Sequence, residues 1–184
     1  MKIARALATL AGIAVLGATP AAVAMPSHCP PGHHSTQVQQ IRNATRKFHN
    51  IAKAEKAGYV PFEDVNGISC IEMMGMGGMG VHYVNPKLIA NPAIDPTAPE
   101  ALVYAPERDG TLRLAALEYL VDKSSWDGKH ASGPQLFRGH PFDVTAAPNR
   151  FGLNTFYSQH VWVWKHNPAG LLAMWNPTVH CSWA

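Results

Sequence analysis

The segment Tyr157-Ser-Gln-His160-Val-Trp162-Val-Trp164-Lys-His166 carries two imidazoles and two indoles at every second position. As a β-strand, its period of two sets His160, Trp162, Trp164 and His166 on one face and Val161, Val163 and Lys165 on the other. Such a face suits the wall of a site better than a plain core. Two other strand-like segments each hold a polar residue on an apolar background: His82 in Gly80-Val-His-Tyr-Val84, and Glu118 in Leu112-Arg-Leu-Ala-Ala-Leu-Glu-Tyr-Leu-Val121. Histidines with one carboxylate are a standard ligand set for zinc, copper, iron or manganese, with positions left open for water.

Alternation puts Glu118 on the face of Leu112, Leu114, Ala116 and Leu120, unless a bulge at Ala115-Ala116 switches the register. A carboxylate among leucines is costly alone, so it must find a metal, a protonated histidine, or an arginine such as Arg138 or Arg150. The expected metal ligands are His82, Glu118, His160, His166 and Met79, with Tyr83, Trp162 and Trp164 as pocket walls. The run Met73-Met-Gly-Met-Gly-Gly-Met-Gly80 adds a copper reading, because thioethers prefer copper(I). Methionine is also ordinary filler, and the glycines serve close packing. GxSxG, HExxH and a phosphate-binding glycine loop are all missing. Two alternatives remain. In a metal-free pocket enzyme, Glu118 and His160 would exchange protons with a small molecule. In a non-catalytic envelope module, the aromatic strand would grip a carbohydrate or lipid.

Residues 1–24 read as a secretory leader: basic Lys2 and Arg5, an apolar stretch from Ala6 to Leu16, and the cleavage pattern Ala22-Val-Ala24. The apolar stretch is too short for stable membrane insertion. A secreted or periplasmic location follows. Removing the leader leaves thirteen basic against twelve acidic residues, a net charge of +1. Clustered Lys and Arg of the kind that bind nucleic acid are not seen. Three cysteines remain in a compartment that permits disulfides. Pairing of Cys70 with Cys181 is preferred, closing a loop of roughly 110 residues and contributing a few kcal/mol. Cys29 would be left over, and the other two pairings stay open.

Residues 25–36 form an irregular His- and Pro-rich arm, in which His28, Cys29, His33 and His34 offer a second chelating group. Residues 37–184 should then form one domain. An amphipathic helix is expected from Gln37 to Ala57, stopped by Gly58. Strands follow at Gly80 to Val84, at Ala101 to Ala105 and at Leu112 to Val121, the last two joined through Arg108-Asp109-Gly110. A final hairpin is expected from Thr155 to Lys165, returning through Leu171 to Trp175. The fold class is α+β: one helix packed on a curved, mainly antiparallel sheet with long Pro-rich loops.

Gly78-Met-Gly-Val-His82-Tyr-Val-Asn-Pro86, Leu117-Glu118-Tyr119 and His160-Val-Trp-Val-Trp-Lys-His166-Asn-Pro-Ala-Gly170 together resemble a family of secreted bacterial proteins of unassigned function. The resemblance runs roughly from Ile51 to Cys181 and implies secretion but no particular activity. Met73, Met74 and Met76 depart from the usual pattern of that family.

Overall fold

The computed structural model describes residues 32–184. The leader and most of the arm, with Cys29 and His28, lie outside the described residues, as do the side chains of His33 and His34. Helix α1 (Gly32–Thr45) begins before the expected Gln37. It then tightens into a 3-10 turn at Arg46–His49. Helix α2 (Ile51–Lys56) restarts behind Asn50, whose side chain accepts a hydrogen bond from the Lys53 amide. The expected single helix is therefore two, broken where the Tyr104 hydroxyl donates to the Phe48 carbonyl at 2.7 Å. Gly58, with φ of +96°, ends α2 as expected.

The strands are β1 (Val60–Pro61), β2 (Cys70–Met73), β3 (Gly77–Val84), β4 (Ala101–Pro106) and β5 (Leu112–Asp122), with the short helix α3 (Pro86–Ile89) between β3 and β4. After β5 come helix α4 (Lys123–Asp127), β6 (Gln135–Phe137), β7 (His140–Pro141), β8 (Asp143–Thr145) and β9 (Phe156–Val161). Seven strands form one antiparallel sheet in the order β1-β3-β4-β5-β9-β8, with β2 also paired to β3. Strands β6 and β7 make a separate ribbon. The architecture is α+β. The methionine-glycine run, on sequence too glycine-rich for a helix and too interrupted for a regular strand, lies across the β2–β3 hairpin.

Two faces divide the chemistry. On one, Ile41, Phe48 and Ala54 from the helices pack against Tyr83, Leu102, Tyr104, Leu117 and Tyr119. On the other, a smaller group contains Val103, Ala105, Ala115, Ala116, Trp162 and Val179. The switch between faces occurs at a bulge: Val103 pairs with Ala116 but Tyr104 pairs with Leu114, leaving Ala115 extra. Leu114 therefore joins the helix side while Ala116, Glu118 and Leu120 turn the other way. Of the two readings of β5, uninterrupted alternation and a bulge at Ala115-Ala116, the structure has the bulge.

The C-terminal hairpin also differs. β9 ends at Val161, and residues 162–175 form no return strand. The segment is instead tied to the sheet through Trp164 N and Lys165 N to Ala115 O, at 3.0 and 2.9 Å, and just beyond its end through a bridge between Gly78 and Asn176. The Cys70–Cys181 disulfide fastens the C-terminal end to β2. Among the described residues no helix is long and apolar enough to cross a membrane.

Candidate metal centre

Glu118 of β5 lies directly opposite His160 of β9. His82 of β3 lies opposite Val103, which lies opposite Ala116, two residues before Glu118. All three polar groups thus occupy the face away from the helices. A flat sheet would hold β3 and β9 about 14 Å apart, at about 4.8 Å for each of the intervening steps. The imidazoles nevertheless meet, with Nε2 to Nε2 at 3.1 Å. The sheet must be concave on this side, and small Ala101, Val103 and Ala116 leave room for the two rings to lean inward over β4 and β5.

Glu118 completes the triangle. Its Oε2 is 3.4 Å from His82 Nε2, and its Oε1 is 3.9 Å from His160 Nδ1. One ligand atom from each residue falls within 4.8 Å of the others. His82 is 7% exposed, Glu118 8% and His160 2%. Burial pushes the His160 imidazole down to about 4, against the pull of Glu118, so it is neutral at neutral pH. Burial would raise the Glu118 carboxyl, but His160, His82 and the Ser158 hydroxyl together hold it below the ordinary range. The cluster therefore presents one carboxylate and uncharged imidazole nitrogen. In a consistent arrangement without metal, His82 Nε2–H donates to His160 Nε2 and leans on Glu118, while His160 carries its proton on Nδ1.

Trp162 stacks near His160, with centroids 6.3 Å apart and planes at 17°, and its Nε1 donates to the Ala173 carbonyl at 2.6 Å. Trp164 and His166 lie elsewhere, because the strand stops at Val161. Trp164 swings to the helix side, where it meets His49 edge-on at 4.4 Å and donates to Thr45 Oγ1 at 3.2 Å. His166 is exposed, and Tyr83 is buried on the helix side against Tyr104. Arg150, a sequence-based partner for Glu118, is paired with Asp64 instead, its Nε 2.8 Å from Oδ2.

A cavity of about 310 Å³ adjoins the cluster, with Glu118 and Ser158 in its wall. Met79, Ile71, Phe151, Phe156 and Trp175 make much of the remainder. Met79 faces this side because the β2–β3 register shifts between Ile71 and Glu72, leaving Met79 unpaired. A hollow of only about 50 Å³ reaches both His82 and Glu118, beneath Phe62, Phe151 and Phe156. Met174, which lines the larger cavity, was not anticipated from sequence. It sits in an irregular segment with no periodicity to mark its direction.

Comparison with known proteins gives no match: no family model, no curated protein and no solved structure matches this chain.

Proposed function

We propose that this protein binds a transition-metal ion, zinc or copper, through His82, Glu118 and His160. The convergence of the three ligand atoms carries the reading. Zinc takes nitrogen and oxygen ligands at about 2.0–2.2 Å, which places neighbouring ligand atoms of a tetrahedron about 3.3 Å apart. The contacts of 3.1 and 3.4 Å suit that spacing. The neutral His160 imidazole and the ionised Glu118 carboxylate are also in the protonation states that a metal requires. Three protein ligands leave a fourth position for water or substrate, the pattern of a catalytic ion. Work in metal handling or as a small metalloenzyme outside the cytoplasm fits the leader pattern and the disulfide. The metal-free acid–base alternative draws less support, since the larger cavity touches Glu118 but neither histidine, and the hollow reaching His82 holds only a few waters.

The test is metal analysis and calorimetric titration of protein purified without a His-tag. One equivalent of zinc or copper should bind in the wild type. His82→Ala and His160→Ala should each weaken binding at least a hundredfold with the fold retained. Wild-type protein that takes up neither metal, or variants that bind as tightly as it does, would refute the assignment.

A further inference from the structure

Five methionines fall among the described residues, and three of them, Met73, Met79 and Met174, line the cavity beside Glu118. They come from separate parts of the chain: Met73 from β2, Met79 from β3, and Met174 from the C-terminal segment. Their convergence depends on the glycines around Met79. A Cβ on Gly77 would lie 2.1 Å from the Asn176 carbonyl oxygen, and one on Gly78 would lie 2.8 Å from Val179 Cγ1. Only bare backbone admits the 174–179 segment at this distance, and it is then held by Gly78 N to Asn176 O at 3.2 Å and Asn176 N to Gly78 O at 3.0 Å. The same glycines that interrupt the β2–β3 hairpin therefore bring Met174 beside Met79.

The three thioethers also differ in depth. Met73 is 44% exposed, Met174 is partly buried, and Met79 is 5% exposed. All three share this cavity with Glu118. Phe151, Phe156 and Trp175 line the same cavity. Thioether sulfur is a soft ligand that favours copper(I) over zinc, and its apolar surroundings disfavour harder, strongly hydrated ions.

We propose that Met73, Met79 and Met174 form a copper(I) subsite in this cavity, through which reduced copper reaches the cluster of His82, Glu118 and His160. The destination rests on the metal reading given above; the subsite itself does not. It sets the order of encounter: copper(I) meets sulfur first and nitrogen second. Zinc has no use for the thioethers and binds only at the cluster of His82, Glu118 and His160.

The experiment uses copper(I) under anaerobic conditions, in competition with a coloured copper(I) chelator, on protein carrying Cys29→Ser so that no free thiol contributes. The comparison variant adds Met79→Leu and Met174→Leu, which conserve volume. The variant should lose at least tenfold in copper(I) affinity while its zinc affinity stays within twofold of the parent. X-ray absorption at the copper edge should show sulfur neighbours in the parent and fewer in the variant. Equal copper(I) affinities in the two proteins would overturn the subsite. So would a parent spectrum with only nitrogen and oxygen neighbours, a result that needs no variant to fold. If sulfur-ligated copper(I) is seen while His82→Ala and His160→Ala bind zinc and copper as tightly as the parent, the histidine reading falls and the thioether subsite stands.

Discussion

His82 and His160 touch through their Nε2 atoms at 3.1 Å, although strands β4 and β5 lie between the strands that carry them. Two buried imidazoles facing each other nitrogen to nitrogen can share one proton or one metal ion, but they repel if both are protonated. The concave sheet holds them in that relation, and the small side chains of Ala101, Val103 and Ala116 permit it. The carboxylate of Glu118 then fixes the sign of the site. It favours a cation between the rings.

Glu118→Gln should separate the carboxylate's charge from its shape. The folded pKa of Glu118 lies below its usual value, although burial alone would raise it, because His160, His82 and Ser158 outweigh the desolvation. Its contribution to stability is therefore present above the unfolded pKa, near 4.5, and is lost as pH falls through the lower folded value. Gln keeps the volume but cannot accept as a charged group. In metal-free protein at pH 7 the variant should lose about 1.5–3 kcal/mol by chemical denaturation, the range for hydrogen bonds to a charged partner. The loss should shrink at pH 3. A variant as stable as the parent at pH 7 would show that the carboxylate is not held by these contacts.

Much of the site was legible because strand alternation exposes a misplaced polar residue. His82, Glu118 and His160 each interrupt an apolar strand, and the structure brings the three together. The Asp109-Gly110 turn was equally plain: Gly110 has φ of +78° and Asp109 Oδ1 accepts from the Thr111 amide. What alternation misses is where a strand stops or slips. The bulge at Ala115 and the end of β9 at Val161 are set by tertiary contacts, and together they scatter Leu114, Trp164 and His166 away from the face that the period predicts. The helix break at Phe48 has the same origin, a carbonyl claimed by a distant tyrosine. Met174 carries no local signal at all.

Glu100 should make the protein less stable as pH rises. It is 2% exposed and accepts from the Leu120 amide at 3.1 Å. Burial raises its carboxyl to about 8; two backbone hydrogen bonds oppose that rise, while the charges of Glu118 and Asp95 add to it. A raised folded pKa means that the folded state holds a proton which the unfolded chain has released. The stabilising contribution is full below about 4.5 and is lost as pH climbs towards about 8. The slope is at most about 1.4 kcal/mol per pH unit. Glu100→Gln, which cannot ionise, should flatten this slope in thermal melts between pH 5 and 8 and match the parent at pH 4. Parallel slopes in the two proteins would mean that Glu100 does not titrate in this window.

Gly77→Ala and Gly75→Ala offer a paired test of the C-terminal strap. Both glycines have positive φ, +89° at Gly77 and +78° at Gly75, so alanine at either position incurs about 1 kcal/mol of left-handed strain. They differ in what the new methyl group meets. At Gly75 nothing lies within 4 Å, whereas at Gly77 the Cβ would sit 2.1 Å from Asn176 O and 2.6 Å from Pro177 Cα. Those are backbone atoms, and they cannot rotate aside. The strap must move or β3 must bend. Gly75→Ala should therefore cost about 1 kcal/mol, while Gly77→Ala should cost several, with hydrogen exchange speeding selectively at Gly78 and Asn176, whose amides bond across the bridge. The His82–His160 contact joins β9 to the part of β3 five residues beyond Gly77 and should survive, leaving zinc binding in place. Equal losses in the two alanine variants would show that the close approach at Gly77 carries no weight in folding.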